Sequence, residues 1–401
     1  MASPTCDCLI VGAGPAGTAT ALTLAARGYA VTLVDKARFP RAKPCAEYVN
    51  PQAVSLLEQL GLAEAALHAG AAVFPGMRVI APSGQELLLD FTADSGRQAL
   101  GLSRFALDAL ALERCRAAGV SVYEGMHVRE ILVERATVVG VRGRRAGETL
   151  ELRARVVVGA DGHHSLVSRR LGLDAPVRWP RRIGLAAHLE GYRLERGFGE
   201  MHVGAGAYCG LAPQEAGRVN AAMVVDIEQF ARRTASPEEF FDAALASYPG
   251  MQSRVAQARR VTPVRGVGPL ARRVRRVSGD GYLLVGDAAG FFDPFTGEGI
   301  FDALTSGILA GEVLAGALSE LDTSAARLAE YDQRRAAALR AKRRAAQLVQ
   351  LFVRSPRMLD YALTRIATRP PVAATMTGVL GDYRDARVVL SPRFLWATLR
   401  P

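Results

Sequence analysis

The chain opens on a short apolar run, Cys8-Leu9-Ile10-Val11, that ends in glycines spaced G-x-G-x-x-G at Gly12, Gly14 and Gly17. Apolar residues at helical spacing follow from Ala16 to Arg27, then a second apolar run, Ala30 to Val34, closed by Asp35. This pattern predicts strand, tight turn, helix and strand. Further on it predicts a helix over Gln52 to Leu60 stopped by Gly61, a hairpin over Val73 to Phe91, and a helix over Phe105 to Ala118 capped by Ser103. Alternating runs at Val120–Tyr123, His127–Val133, Val138–Arg142 and Thr149–Val158 predict a β-meander. Strands are expected across Ile183 to Asp226, a helix over Pro237 to Tyr248, and a long helix over Leu328 to Phe352.

Two later apolar runs end as the first one does, in small residues. Arg155 to Val158 leads into Gly159-Ala160-Asp161-Gly162, and Tyr282 to Val285 leads into Gly286-Asp287. The second continues into a Gly/Pro/Thr-rich loop through Gly297, Gly299 and Ile300, and then an alanine-rich helix to about Leu318. The pattern divides the chain into a nucleotide-binding unit (1–72, 97–180 and 275–318), a substrate unit (73–96 and 181–274) and a helical C-terminal region (319–401).

At the first anchor, Gly12 permits the turn, Gly14 lets a pyrophosphate approach the backbone, and Gly17 lets the helix pack on the sheet. The helix N-terminus, with Ala16 in its first turn, offers unpaired N–H groups to phosphates. Asp35 is placed to accept from ribose hydroxyls. The loop after it holds three prolines and the cations Lys36, Arg38, Arg41 and Lys43, so its charge can meet phosphates. Asp161 would stand at the carboxyl end of a strand, where open α/β sheets bind ligands; its other reading is a turn aspartate capping the next helix. Asp287 can accept from a polyol chain, and the glycines after it bring N–H groups close to a planar ring.

Composition narrows the picture. With 401 residues, 49% hydrophobic and 22% charged, the chain reads as globular with ample core. No apolar stretch reaches the ~18 residues needed to span a membrane, and a strand begins too early for a signal peptide. The net charge of +11 is spread along the chain and aromatics are 6%, which argues against nucleic-acid binding. A solvated Arg-rich surface is expected, with weak attraction to acidic membranes as the lesser reading, centred on the basic run from Arg334 to Arg344. Five scattered cysteines form no metal-like array and fit a reducing cytoplasm.

The three anchors, in this order, resemble the flavoproteins of the para-hydroxybenzoate hydroxylase fold. The fold class implied is α/β: a Rossmann-like FAD-binding domain, an intercalated β-sheet substrate domain and a helical C-terminal tail. Pro44-Cys45-Ala46-Glu47 and Asp293 to Ile300 are similar to loops of the geranylgeranyl reductase-like branch. The resemblance implies non-covalent FAD and a nicotinamide reductant, NADH or NADPH. It implies that Arg104 and Arg41 contact the phosphates or ribityl chain, that Val128 meets the adenine, and that Asp161 and Gly162 serve both cofactors. Tyr208-Cys209-Gly210-Leu211-Ala212-Pro213 stands where isoprenoid reductases carry Tyr-x-Trp-x-Phe-Pro, and the halogenase Trp-x-Trp-x-Ile-Pro is absent.

The function expected is that of an FAD-dependent oxidoreductase acting on a hydrophobic small molecule. Small residues at 209, 210 and 212 would leave room for a bulky ring, which favours hydroxylation of an aromatic or polyketide-like substrate. The alternatives are reduction of a carbon–carbon double bond and a flavin-binding module without turnover. Cys45 and Glu47 are the loop residues expected to face the flavin. Glu47 reads either as a proton donor or acceptor or as a partner of Lys43 or Arg41, and Cys45 either as reactive or as a packed small residue. Tyr208, Pro213, His202 and His188 lie on the candidate substrate wall, each histidine being either a lining residue or a satisfied structural one. Oligomeric state is not legible.

Overall fold

The computed structural model describes residues 5–204 and 206–399. Its central sheet is built on Cys6–Val11, which lies parallel between Val31–Asp35 and Glu148–Gly159. A parallel strand covered on both faces reads as a continuous apolar run, and Cys8, Leu9 and Ile10 are all fully buried. Tyr282–Leu284 adds in parallel beside Glu148–Gly159. Val11 pairs with Val34 and with Gly159, and Gly159 with Leu284, so the three strand ends that carry the anchors lie together at one edge.

The expected four-run meander is corrected. Ser121–Glu124 is the parallel edge strand beyond Val31–Asp35, while His127–Glu134, Thr137–Arg145 and Glu148–Gly159 form the antiparallel meander. The last of these, at 12 residues, runs out of the meander into the central sheet. Alternation marks a strand but does not name its neighbour.

A second sheet of eight strands draws on two separate segments. The hairpin Gly76–Ile80 and Glu86–Asp90 joins Gly199–Val203 in parallel, and Tyr208–Pro213, Val219–Asp226 and Arg182–Glu190 continue the sheet antiparallel. Val73 and Phe74, expected within the hairpin, instead belong to Ala72–Phe74, which pairs with Ala99–Gly101 in a small third sheet.

Gly299–Ser319 corrects the expectation that no apolar stretch is long enough to span a membrane: its 21 residues meet that test by length and composition. It is mostly buried, packed on the first helix, Pro15–Ala25. A Cβ at Gly307 would sit 2.4 Å from the Ala16 carbonyl oxygen, and one at Gly311 2.5 Å from Thr23 Cβ. Only glycine allows that approach.

Four further helices, Ala325–Val353, Pro356–Ala367, Pro370–Leu380 and Pro392–Leu399, complete the described chain. The basic run on the first of them is not wholly a solvated face. Arg335 and Lys342 are buried, and Lys342 Nζ lies 2.6 Å from Asp382, 3.5 Å from Asp302 and 3.7 Å from Glu298.

Candidate active site

At the glycine turn, Gly12 has φ +109° and a Cβ there would lie 2.4 Å from the Ala160 carbonyl oxygen. Gly17 would place its Cβ 1.9 Å from the Gly12 carbonyl oxygen, so both glycines serve chain packing. Gly14 differs. The space over it is open, bounded only by guanidinium nitrogens of Arg104 at 3.5 Å and Arg41 at 3.9 Å. An open backbone cradle faced by two cations at a helix N-terminus fits a pyrophosphate.

The cations are held in place by Asp108, which the sequence reading missed. It is 1% exposed and takes Arg104 through both carboxylate oxygens at 2.8 and 2.7 Å, with Arg41 at 2.9 Å. Asp35 accepts from the amides of Ala13 and Ala37, each at 2.8 Å, and ties the strand tip to the turn. Met126 donates its amide to the Asp35 carbonyl, and Val128 packs against the core cluster that includes Met126. Lys36 is exposed and lies outside the cavity described next.

A cavity begins at Gly14 and Ala16 and runs past Arg104, Gly162, Gly286 and Asp287 to Gly297, Gly299 and Ile300. Asp287 is half-exposed, 4.0 Å from Lys43. Asp161 plays the other part weighed for it. Its Oδ2 accepts from the amides of Leu166 and Val167 at 2.6 and 3.2 Å, so its carboxylate caps the short helix Leu166–Arg170 rather than lining the cavity. Its neighbour Gly162, at φ +75°, does line it.

The far wall comes from the second sheet. Strand alternation decides which residues reach it. On Tyr208–Pro213, Tyr208 and Gly210 face the cavity, while Cys209 and Leu211 join the core on the opposite face. The Tyr208 hydroxyl is committed to Asp293, which also takes Gln350 at 2.7 Å and Arg182 at 3.1 Å. Burial raises the Asp293 carboxyl, against the pull of Tyr208 and Arg182. Two expected substrate residues are corrected. His202 is 1% exposed and bonds Glu200 at 2.8 Å behind the sheet, and Pro213 lies at the strand end beyond the cavity. The period of two that turns Tyr208 inward turns His202 outward.

The loop 43–47 separates this cavity from an outer one. Glu47 and Cys45 line both. Glu47 does not pair with Lys43 or Arg41. Its Oε1 accepts from the Arg104 amide at 2.8 Å and its Oε2 meets His188 Nε2 at 2.7 Å. Cys45 Sγ accepts from the Glu47 amide at 3.3 Å, and burial pushes its thiol up, so the neutral form is favoured.

A narrow apolar extension leaves the inner cavity. The two share Ala46, Tyr48, Met201, Gly210, Pro294 and Gly297, and the extension ends among Phe91, Phe295 and Leu380.

Comparison with known proteins agrees with this geometry. Residues 5–346 match the family described as "FAD binding domain". The chain is 30% identical over 402 residues to digeranylgeranylglycerophospholipid reductase of Methanothrix thermoacetophila, covering 98% of each. It superposes with a TM-score of 0.85 and 21% identity on a flavoprotein/dehydrogenase from Cytophaga hutchinsonii, covering 98% of this chain and 95% of that one. A flavin-dependent brominase gives a TM-score of 0.84 at 22% identity, with 96% of each chain covered. The chain therefore belongs to the FAD binding domain family, as an FAD-dependent oxidoreductase of the para-hydroxybenzoate hydroxylase fold in its geranylgeranyl reductase-like branch.

Proposed function

We propose that this flavoprotein reduces carbon–carbon double bonds in a prenyl chain. The observation that carries the reading is the apolar extension, which begins beside Gly297 and Met201 and continues to Leu380. A slim, flexible hydrocarbon suits it better than a fused ring does. The shape argument for hydroxylation weakens at the residues that prompted it. Cys209 lies behind the sheet, and the space over Gly210 is taken by Met201, whose Cε would touch an added Cβ at 3.4 Å. The relative from Methanothrix, named as a reductase of a prenyl-bearing glycerophospholipid, supports the same reading.

When bound, FAD would supply the hydride chemistry. The chain's part is to hold the phosphates at Gly14 with Arg104 and Arg41, to keep the prenyl chain straight between Met201 and Phe295, and to exclude water with apolar walls. We assign NADH or NADPH as reductant. A cationic cleft adjoins the cavity across His163, lined by Arg169, Arg181, Arg272 and Arg273, and Arg272 holds the carbonyls of Gly162 and His163 at 3.1 and 3.0 Å. That charge suits dinucleotide phosphates.

The test is turnover of a geranylgeranyl-bearing glycerolipid with NAD(P)H, with and without labelled oxygen, followed by mass spectrometry. Reduction predicts a gain of two hydrogens per double bond without oxygen present. Label in the product would replace this reading with hydroxylation.

A further inference from the structure

We propose that Glu47 and His188 form a proton relay that crosses the 43–47 loop from the outer cavity to the inner one, delivering the proton that completes double-bond reduction. The proposal rests on the reductase reading above.

Glu47 is held where no ordinary loop carboxylate would be. It is 4% exposed and sits at φ +54°, a left-handed conformation that costs a non-glycine residue free energy. The Leu102 amide and Gln214 side chain both donate to its carbonyl, and the Arg104 amide fixes Oε1. That leaves Oε2 for His188 Nε2 at 2.7 Å. On the other side of the ring, His188 Nδ1 lies 3.4 Å from the Thr262 hydroxyl, which itself accepts the His188 amide at 2.9 Å. His188 and Thr262 line the outer cavity and not the inner one. The pair thus joins the two cavities through a single hydrogen bond.

Bound reduced FAD would supply a hydride to one carbon of the double bond, with one of its own N–H bonds broken. The other carbon takes the Glu47 carboxyl proton. The π bond and the Glu47 O–H bond break, and two C–H bonds form. His188 Nε2 then gives its proton to Oε2 as Nδ1 takes one from the outer cavity, and exchange of the ring with that cavity returns a proton to Nε2 before the next turnover. The charged and titratable groups around the relay are Lys43 and Cys45 from its own loop, Arg104 from the helix behind, and Glu215, Arg218 and Arg265 from the outer wall. Arg218 is committed to Glu215 at 3.0 Å.

The experiment uses the FAD-loaded full chain as wild type, Glu47→Gln, Glu47→Asp and His188→Gln, each checked for flavin spectrum and melting temperature. The first readout is independent of turnover. The His188 ring nitrogen resonances, identified by their loss in His188→Gln, should move in Glu47→Gln as the 2.7 Å hydrogen bond to the carboxylate is lost. Glu47→Asp, which withdraws the carboxylate, moves them too and serves if the glutamine variant does not fold. The second readout is anaerobic single turnover of photoreduced enzyme with a prenyl lipid in light and heavy water. Glu47→Gln should lose about 100-fold in the reduction step. His188→Gln should lose less and change the solvent isotope effect. Unmoved His188 resonances, or variants with wild-type rate and isotope effect, would overturn the relay. Failure of the wild type to reduce any prenyl double bond overturns the reductase reading, and with it the relay's role in reduction; the NMR signature separates that outcome from failure of the pairing itself.

Discussion

Arg41 and Asp108 lie 67 residues apart in sequence and 2.9 Å apart in space. Through this contact, and the two that Asp108 makes one helical turn back to Arg104, a single buried carboxylate aims two guanidinium groups at the Gly14 backbone. Two cations facing each other without that carboxylate would repel.

The first prediction concerns Asp108. Breaking a buried ion pair by removing one partner costs about 3–5 kcal/mol. Asp108→Asn keeps the shape and removes the charge. It should lower the melting temperature and weaken FAD at least tenfold, measured by thermal denaturation and flavin fluorescence. Wild-type flavin affinity in a folded variant would remove Asp108 from the phosphate site.

Gly14 and Gly12 should fail differently. The open space above Gly14 lets a valine side chain stand in the folded protein where the pyrophosphate belongs. Gly14→Val should therefore fold with a near-wild-type melting temperature and lack flavin. Gly12→Ala forces a Cβ into the Ala160 carbonyl at positive φ and should unfold early. Cys6→Ala, in the buried strand, should keep its flavin. Circular dichroism and the flavin absorbance of the purified proteins check all three.

The two aspartates at the later anchors also separate. Asp287→Ala removes a cavity-lining carboxylate and should weaken FAD by about 1–2 kcal/mol, close to tenfold, with little change in melting. Asp161→Ala removes two helix-capping hydrogen bonds and should cost roughly 1 kcal/mol of stability first. Isothermal titration with FAD beside calorimetric melting distinguishes them. The reverse pattern would return Asp161 to the cofactor.

The fourth prediction is a pH dependence. Lys342 faces three carboxylates, Asp382, Glu298 and Asp302, so one cation cannot balance them all. Burial pushes Asp382 up to about 6, against the pull of Lys342. A carboxyl whose folded value is raised binds a proton more tightly folded than unfolded. Its stabilisation is present below pH ~4 and is lost as pH rises toward 6. Asp382→Asn cannot titrate, so the difference in melting temperature between wild type and variant should turn against the wild type over that window. Parallel curves would show that Asp382 is ionised throughout.

Much of this protein is written locally. The glycine spacing after Cys8–Val11, the acidic tip at Asp35 and the Gly-Asp pair at 286–287 each follow from what a buried parallel strand and a tight turn demand of adjacent residues. Such demands act over a few residues, so they are legible without a partner. The Ser103 cap, which accepts from Ala106, is of the same kind. What tertiary structure alone decided is which side chains meet. Asp108 became the holder of Arg41, His188 rather than His202 reached Glu47, and Ser121–Glu124 left the meander for the central sheet. These outcomes depend on strand register and face. A shift of one residue turns a side chain to the opposite face of a sheet, and sequence alternation states the period without stating which face is covered by what. The same parity sent Cys209 behind the wall and left Gly210 on it, beside the apolar extension.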